Sequence, residues 1–320
     1  MTVRVYRSTD ASAPTLNGTS GSLINVLDGC LVNGYGIQTA AGWTKAFSGT
    51  NLAGYRQGTG SNQYYLKIRD DGVSNAVRVA GFEIMTTVTA TDTAADGTNR
   101  FPLSGTNLFW QKSFTTDTIA RPWIVLADAR TFYIFMLTGD FAATYFWGGF
   151  GEFFSFKTSD PGRTFVFGRN GGEGTGAIAF EPDRIASIGN TIGSPAMMWV
   201  NRNYTGVAGS TTDFIMTGRE ISGGASSGTL IALVGNVIYS NQPDHKIYLA
   251  PLRVSNTLPV INFRGKMRGL WHYQHLLTTI ADGETFTGSG NLAGKTFLAI
   301  KQTPNAGVWI VETSDTWDTN

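Results

Sequence analysis

The sequence predicts a mainly β protein, with antiparallel sandwich or barrel-like sheets and one short N-terminal helix over about residues 22–33. Three observations support this prediction. Short runs of β-branched and aromatic residues recur along the chain between turn residues. Glycine supplies 40 of 320 residues, well above its usual share of about 7%. Charged residues make up 15%, against about 25% in an ordinary soluble protein.

Residues 1–20 are predicted to form an extended arm. Val3 and Val5 alternate with Arg4 and Tyr6, which is the two-residue period of a strand. The stretch that follows is polar and rich in turn-forming residues, so it offers little to pack against a core. A plain edge strand of the main fold is the alternative, and the sequence leaves both open.

The strongest helix signal covers residues 21–34. Its apolar residues recur at spacings of three and four, namely Leu23, Ile24, Val26, Leu27, Cys30 and Leu31. Ser20 or Ser22 can cap the first turn, and Gly34 stands where a helix often ends. Cys30 shares the apolar face, so we interpret it as a small buried hydrophobe and not as a reactive thiol.

The rest of the chain, residues 21–320, is predicted to be a β-rich body. The predicted strands are 63–68, 76–85, 122–127, 131–137, 163–168, 197–201, 229–239, 246–252, 296–301 and 307–312. Turn sequences such as Asp160-Pro161-Gly162 separate them. Residues 206–228 are rich in Gly, Ser and Thr, so two subdomains with a boundary near this stretch are an open alternative to one domain.

Composition excludes several classes of protein. The single cysteine cannot form an intramolecular disulfide, so the chain is no disulfide-stapled scaffold. The longest apolar runs are far shorter than the ~20 residues of a membrane span, and the N-terminus shows no apolar signal-peptide core. A net charge of +1 gives no basic excess for non-specific binding to nucleic acid.

Motifs for catalysis or cofactor binding all fail on spacing or context. Residues 288–296 resemble a phosphate-binding loop, but both glycines before Gly294 are one position out of place and a strand follows. His272 and His275 lack the spacing and the glutamate of a metalloprotease helix. The carboxylates Glu83 and Asp128 are a weak candidate pair for glycoside hydrolysis. We therefore predict no catalytic, metal or cofactor-binding residues, and a protein that is not an enzyme.

One segment, residues 263–275, has the composition of a contact surface. Alternation predicts that Arg264, Lys266 and Arg268 project from one face of a strand, followed by Trp271 and Tyr273. These five residues are our candidates for partner contact, because Arg, Trp and Tyr are frequent at the centre of interfaces. An edge strand whose charges prevent stray pairing is the alternative, and basic residues among aromatics also occur at sugar and nucleic-acid sites.

Four segments resemble a family of virion proteins of tailed bacteriophages of proteobacteria, mostly uncharacterised. They are residues 21–68, 121–140 (RPWIVLADARTFYIFMLTGD), 264–275 (RGKMRGLWHYQH) and 282–301 (DGETFTGSGNLAGKTFLAIK), in the same order as in the family. The stretch least similar to that family is about 170–245. The resemblance implies a structural protein without catalytic residues, and near-neutral charge suits subunits that assemble in many copies.

This resemblance leads to a functional hypothesis. We expect a structural component of the virion at the tail or head–tail junction, assembled in the host bacterial cytoplasm, that acts through contacts with copies of itself and other virion proteins. It needs no cofactor, membrane or specific nucleic acid. The alternatives are a capsid decoration protein, a module that binds host-surface glycan through Trp271, Tyr273 or Trp147, and a hydrolase of that glycan.

Overall fold

A computed structural model of the chain confirms the mainly β fold class. It describes residues 2–71, 76–91, 93–103, 108–138, 145–170, 196–208, 214–217, 249–256, 262–273, 280–301, 308–314 and 316–317.

The strands follow one another along the whole described chain. In order they are β1 (Arg4–Arg7), β2 (Thr44–Gly49), β3 (Leu52–Arg56), β4 (Tyr65–Arg69), β5 (Ala76–Met85), β6 (Gly97–Phe101), β7 (Leu108–Gln111), β8 (Trp123–Ala127), β9 (Thr131–Leu137), β10 (Tyr145–Glu152), β11 (Phe154–Ser155), β12 (Thr164–Asn170), β13 (Ala196–Val200), β14 (Phe214–Thr217), β15 (Leu249–Asn256), β16 (Asn262–Tyr273), β17 (Thr285–Thr287), β18 (Thr296–Lys301) and β19 (Val308–Glu312).

These strands form two antiparallel sheets. The larger sheet has twelve strands, with a main path β1-β8-β9-β10-β12-β7-β5-β4-β3-β2, β6 beside β5 and β13 beside β12. The smaller sheet has seven strands, in the order β14-β15-β16-β19-β18-β17, with β11 beside β16. Within the described residues neither sheet closes into a barrel, so the arrangement is a sandwich.

The core is layered because strands such as β7 and β9 of the larger sheet are buried on both faces. One face packs on the N-terminal helix, where Leu27 and Trp110 belong to the same apolar cluster. The opposite face packs on the smaller sheet, where Phe135 meets Trp309 edge-on. A separate small cluster around Phe297 lies on the far side of the smaller sheet. A strand that is covered on both faces is apolar throughout, which explains the continuous run of β9.

The predicted helix is present, but it changes type half-way. An α-helix over Ser22–Leu27 continues as a π-helix over Asp28–Asn33 and ends at Gly34, whose φ is 76°. The predicted serine cap is wrong, because Gly21 is the N-cap residue and no side chain of the N-cap bonds the first turn. The Asp70 carboxylate accepts the Leu23 N–H instead, at 2.9 Å. Sequence pattern cannot show this partner, since it lies 47 residues away.

Cys30 is fully buried in the cluster under the helix, as predicted. Burial raises the pKa of its thiol well above the usual value, with a further contribution from the charge of Asp10. A thiol that stays protonated is a poor nucleophile, so the side chain acts as a small apolar group.

The N-terminal segment is not a free arm. Residues 4–7 form β1 at one edge of the larger sheet, with Tyr6 opposite Val125 of β8. Tyr6 is fully buried and its hydroxyl donates to the Thr39 carbonyl at 2.7 Å, and Leu16 is buried as well. The arm prediction is therefore wrong here and the edge-strand alternative correct, because the apolar side chains of this segment fill the cluster around the helix.

Two predictions fall mainly on residues that the structure does not describe. The predicted strand 229–239 lies outside the described residues. Of the predicted boundary near 206–228, only residues 206–208 and β14 are described. The division into two subdomains therefore stays a prediction.

Buried ion pairs join distant parts of the fold. Lys112 binds Asp70 and Lys67 binds Asp96, and all four side chains are almost completely buried. Burial lowers the pKa of Lys112 and raises that of Asp70, while the charge of each partner opposes the shift of the other. Removing one member of such a pair leaves the other charge without its counterion in a dry site.

We expect Lys112→Met to lower the free energy of unfolding by about 3–5 kcal/mol, because the Asp70 carboxylate then stays buried without its partner. Urea unfolding followed by tryptophan fluorescence measures this. Lys45→Met is the matched control, since Lys45 binds Asp28 at 2.8 Å with side chains that are 25% and 21% exposed. Its expected cost is about 0–1 kcal/mol. Equal losses for the two variants would contradict this account of the buried pair.

Candidate functional site

The five predicted contact residues all lie on β16, but the strand does not alternate regularly. Its ladder with β15 shifts register twice, between Val254 and Ser255 and between Pro251 and Arg253. Each shift is a bulge that changes which side chains share a face. The prediction that Arg264, Lys266 and Arg268 project from one face is therefore wrong.

Arg264 is turned into the protein and is fully buried. Its guanidinium donates two hydrogen bonds to the Asp160 carboxylate, of 2.9 Å from Nε and 2.8 Å from Nη2. Nη1 donates to the Arg202 carbonyl at 2.7 Å. Such a two-point pair is strong and geometrically specific. Arg264 thus connects the loop before β12 to β16. Because its side chain is fully buried, it cannot contact a partner.

Arg268 is also buried, and it connects the two sheets. Nη2 donates to Asp128 Oδ2 at 2.6 Å and Nη1 to Asp128 Oδ1 at 3.1 Å. Asp128 lies in the turn between β8 and β9 of the larger sheet. The Tyr133 hydroxyl donates to the Arg268 carbonyl at 2.7 Å, so main chain and side chain are both fixed. Arg268 is therefore wrong as a contact residue as well.

Lys266 and Trp271 keep the predicted outward position. Lys266 lies opposite Arg253, and Trp271 opposite Pro251, so the two side chains share the far side of the smaller sheet. The irregular stretch between them allows this despite their odd spacing in sequence. The backbone of Tyr273 pairs with Leu249 at the end of β16. The side chain of Tyr273 lies outside the described residues.

Lys266 and Trp271 belong to a larger surface on the side of the smaller sheet that faces away from the larger one. We call this surface the outer face. Its residues are Phe154, Arg253, Lys266, Trp271, Phe286 and Lys295.

Aromatic rings hold the ammonium groups of the outer face in place. The Lys266 Nζ lies 5.2 Å from the ring centre of Phe154, its neighbour in the ladder between β11 and β16. The Lys295 Nζ lies 5.7 Å from the ring centre of Trp271. Both distances fit attraction between a cation and the negative face of a ring. Both positive charges are thus held against aromatic rings of the same face.

The charges on the outer face are unbalanced around Lys266. Lys295 binds Glu312 at 2.8 Å, and the Trp271 indole N–H donates to the same carboxylate at 3.1 Å. No carboxylate in the described part of the chain lies within ion-pair distance of Lys266. Burial lowers the pKa of Lys266, the charge of Lys295 lowers it further, and the charge of Glu312 opposes this.

Sequence reasoning missed Phe154, Arg253 and Lys295. Lys295 belongs to the stretch that imitates a phosphate-binding loop, which the structure folds into the hairpin of β17 and β18. Phe154 and Arg253 come from other segments and meet Lys266 only through strand pairing. For Lys295 the neighbouring Phe297 was an available signal, but nothing in the sequence indicated that Phe154 or Arg253 would lie beside Lys266.

The two carboxylates considered for glycoside hydrolysis are held by arginines. Glu83 accepts two hydrogen bonds from Arg202, of 2.7 and 2.6 Å, and one from Asn201 at 2.8 Å. Asp128 is buried against Arg268. Both carboxylates thus have a role in holding the fold together.

Comparisons with known proteins add no identification. No protein-family model matches the chain, and no curated protein matches it either. In the described ranges, no group of three or more His, Cys, Asp or Glu side chains is placed to hold a metal ion. None of the helices that the structure describes has the length and apolar character to cross a membrane. The resemblance to phage virion proteins therefore stays a prediction.

Gly269→Ala should destabilise the protein more than Gly283→Ala. Both glycines have left-handed backbone, with φ of 69° and 77°, which costs an alanine about 1–2 kcal/mol. A Cβ at Gly269 would lie 2.3 Å from the indole nitrogen of Trp317, whereas a Cβ at Gly283 meets nothing within 4 Å. We expect the overpacking at Gly269 to add about 1–3 kcal/mol. Urea unfolding of both variants tests this, and equal losses would refute it.

Asp160 should make the protein sensitive to acid. Burial opposes ionisation of this carboxyl, but hydrogen bonds and charge from Arg264 outweigh it and hold the pKa below the usual value. A pKa lowered by folding gives stability that is present above the unfolded value of about 3.9 and lost as pH falls through the lowered pKa.

Asp160→Asn should therefore be less stable than the parent at pH 7, and should lose less stability between about pH 5 and pH 2. Urea unfolding midpoints measured across this range test both expectations. Parallel curves for parent and variant would show that the Asp160 carboxylate contributes nothing to the acid response.

Proposed function

We propose that the chain is a structural component of a tailed-phage virion, at the tail or head–tail junction, that acts through subunit contacts and not through catalysis. The virion assignment rests on the four segments that resemble phage virion proteins. The observation that supports a contact role is the outer face, where Lys266 and half-exposed aromatic rings lie on a rigid sheet. Its partners would be copies of the chain and other virion proteins, met during assembly in the host bacterial cytoplasm.

The fold suits such a role because its buried charges are paired between distant parts of the chain. Asp70, Asp96, Asp128 and Asp160 are each bound by a lysine or arginine that lies far away in sequence. Such pairs fix the relative position of strands and turns. A subunit built in this way presents its surfaces in a defined geometry, which assembly requires.

A second candidate is a module that binds host-surface glycan. The observation in its favour is Trp271, which is half-exposed and flanked by the Lys295 ammonium on the outer face. Aromatic rings beside charged groups are typical of sites that hold a ligand in a fixed orientation. A capsid decoration protein remains the other alternative, and copy number separates it from a tail component.

Quantitative mass spectrometry of purified virions tests the proposal. We expect peptides of this chain in particles of the phage whose genome encodes it. A copy number that matches one symmetric ring of subunits would support the tail or head–tail junction, and a number comparable with that of the capsid protein would support decoration. Virions without the chain would refute the proposal.

A further inference from the structure

We infer that Lys67 and Asp96 condense to an amide bond, a covalent cross-link between the centre of β4 and the turn before β6. In the ion pair described above, the Lys67 ammonium directly contacts the Asp96 carboxylate, and the two side chains are 3% and 0% exposed. The cross-link is a property of the chain alone, so its test is independent of whether the chain is found in virions.

The first argument is that this pair lacks hydrogen bonds that two buried ions need. Asp96 Oδ1 is buried and has no donor within the described residues. A lysine ammonium carries three N–H donors, and the described residues give that of Lys67 two acceptors, Asp96 Oδ2 and the Thr91 carbonyl. Buried ions without their full set of hydrogen bonds are costly. A neutral amide has a single N–H, which the Thr91 carbonyl can accept, and it carries no charge to desolvate.

The buried pair of Lys112 and Asp70 is the comparison within the same chain. Its ammonium has three acceptors, which are Asp70 Oδ1, the Thr19 carbonyl, and Ser22 Oγ at 3.3 Å. The second carboxylate oxygen of Asp70 accepts the Leu23 N–H at 2.9 Å. Because both of these ions are hydrogen-bonded, we expect this pair to stay ionic.

The second argument is that the fold holds the two reacting groups together. Lys67 lies opposite Gly54 of β3 and Ala80 of β5, so it is hydrogen-bonded into the sheet on both sides. Ala80 belongs to a small apolar cluster, which keeps this part of the sheet dry. The Asp96 carbonyl accepts the Thr86 N–H at 2.9 Å, which fixes the turn that carries the carboxylate. Groups held in contact in this way react far faster than free molecules.

The reaction is a condensation that needs no other reactant. The Lys67 ammonium passes one proton to Asp96 Oδ2, with which it is in contact. The lone pair of the neutral amine then forms the Nζ–Cγ bond, and the Cγ–Oδ2 bond breaks. A second proton moves from the nitrogen to Oδ2, which leaves as water. The product is an amide with Oδ1 as its carbonyl oxygen and one N–H beside the Thr91 carbonyl.

The mass of the intact chain, measured by electrospray mass spectrometry under denaturing conditions, tests the inference. After folding and incubation at neutral pH, we expect a mass that is lower than that of the unmodified sequence by one water. Lys67→Met should have the full mass of its own sequence, because methionine cannot form the bond. Lys45→Met is the matched control, since Lys45 is in an exposed ion pair, and it should still lack one water. A parent chain of full mass, or a Lys67→Met chain that lacks one water, would overturn the inference.

Tryptic peptides locate the bond and distinguish it from another loss of water. An aspartate before a glycine, as in Asp96-Gly97, can lose water by closing a succinimide within one peptide. The cross-link instead joins residues 57–69 to residues 79–100 in one branched peptide, because trypsin does not cleave after an acylated Lys67. A water loss confined to one linear peptide, or a branched peptide at the other buried lysine–aspartate pair, would overturn the inference.

Discussion

The ion pair between Asp128 and Arg268 is the interaction on which the arrangement of the two sheets depends. The Asp128 carboxylate accepts the N–H groups of Arg130 and Thr131, each at 2.8 Å, and thereby shapes the turn between β8 and β9. The Asp128 carbonyl accepts the Trp43 indole N–H at 2.7 Å. The Arg268 guanidinium binds the same Asp128 carboxylate and so connects β16 to this turn. One aspartate thus fixes a turn of the larger sheet, the segment before β2 and the central strand of the smaller sheet.

Close packing of aromatic rings explains part of the glycine content. A Cβ at Gly148 would lie 2.6 Å from the Trp110 ring, and one at Gly81 would lie 2.1 Å from the Phe101 ring. These glycines lie inside β10 and β5, where glycine ordinarily weakens a strand. Here the missing side chain makes room for a large ring, so the gain in buried apolar surface offsets the loss. The sequence predicts glycine in turns such as Asp160-Pro161-Gly162. It could not show that glycines inside strands also make room for aromatic rings.

The fold was predictable where the information is local. The bounds of β5, β9 and β18 follow directly from their apolar and aromatic runs, and the helical span 22–33 follows from its spacing. The order of strands in the sheets could not be predicted, because it depends on contacts between distant segments. The outer face was predicted only in part for the same reason. Lys266 and Trp271 are on one strand, whereas Arg253 and Lys295 reach them through pairing and bulges that local alternation does not encode.

The position of β16 has a mechanical consequence. Its two arginines are anchored in the interior, its two edges are hydrogen-bonded to β15 and β19, and its outward side chains form the centre of the outer face. A pulling force applied at that surface enters the protein through this strand. Because Arg264 and Arg268 bind Asp160 and Asp128 in turns next to strands of the larger sheet, we expect such a load to reach both layers.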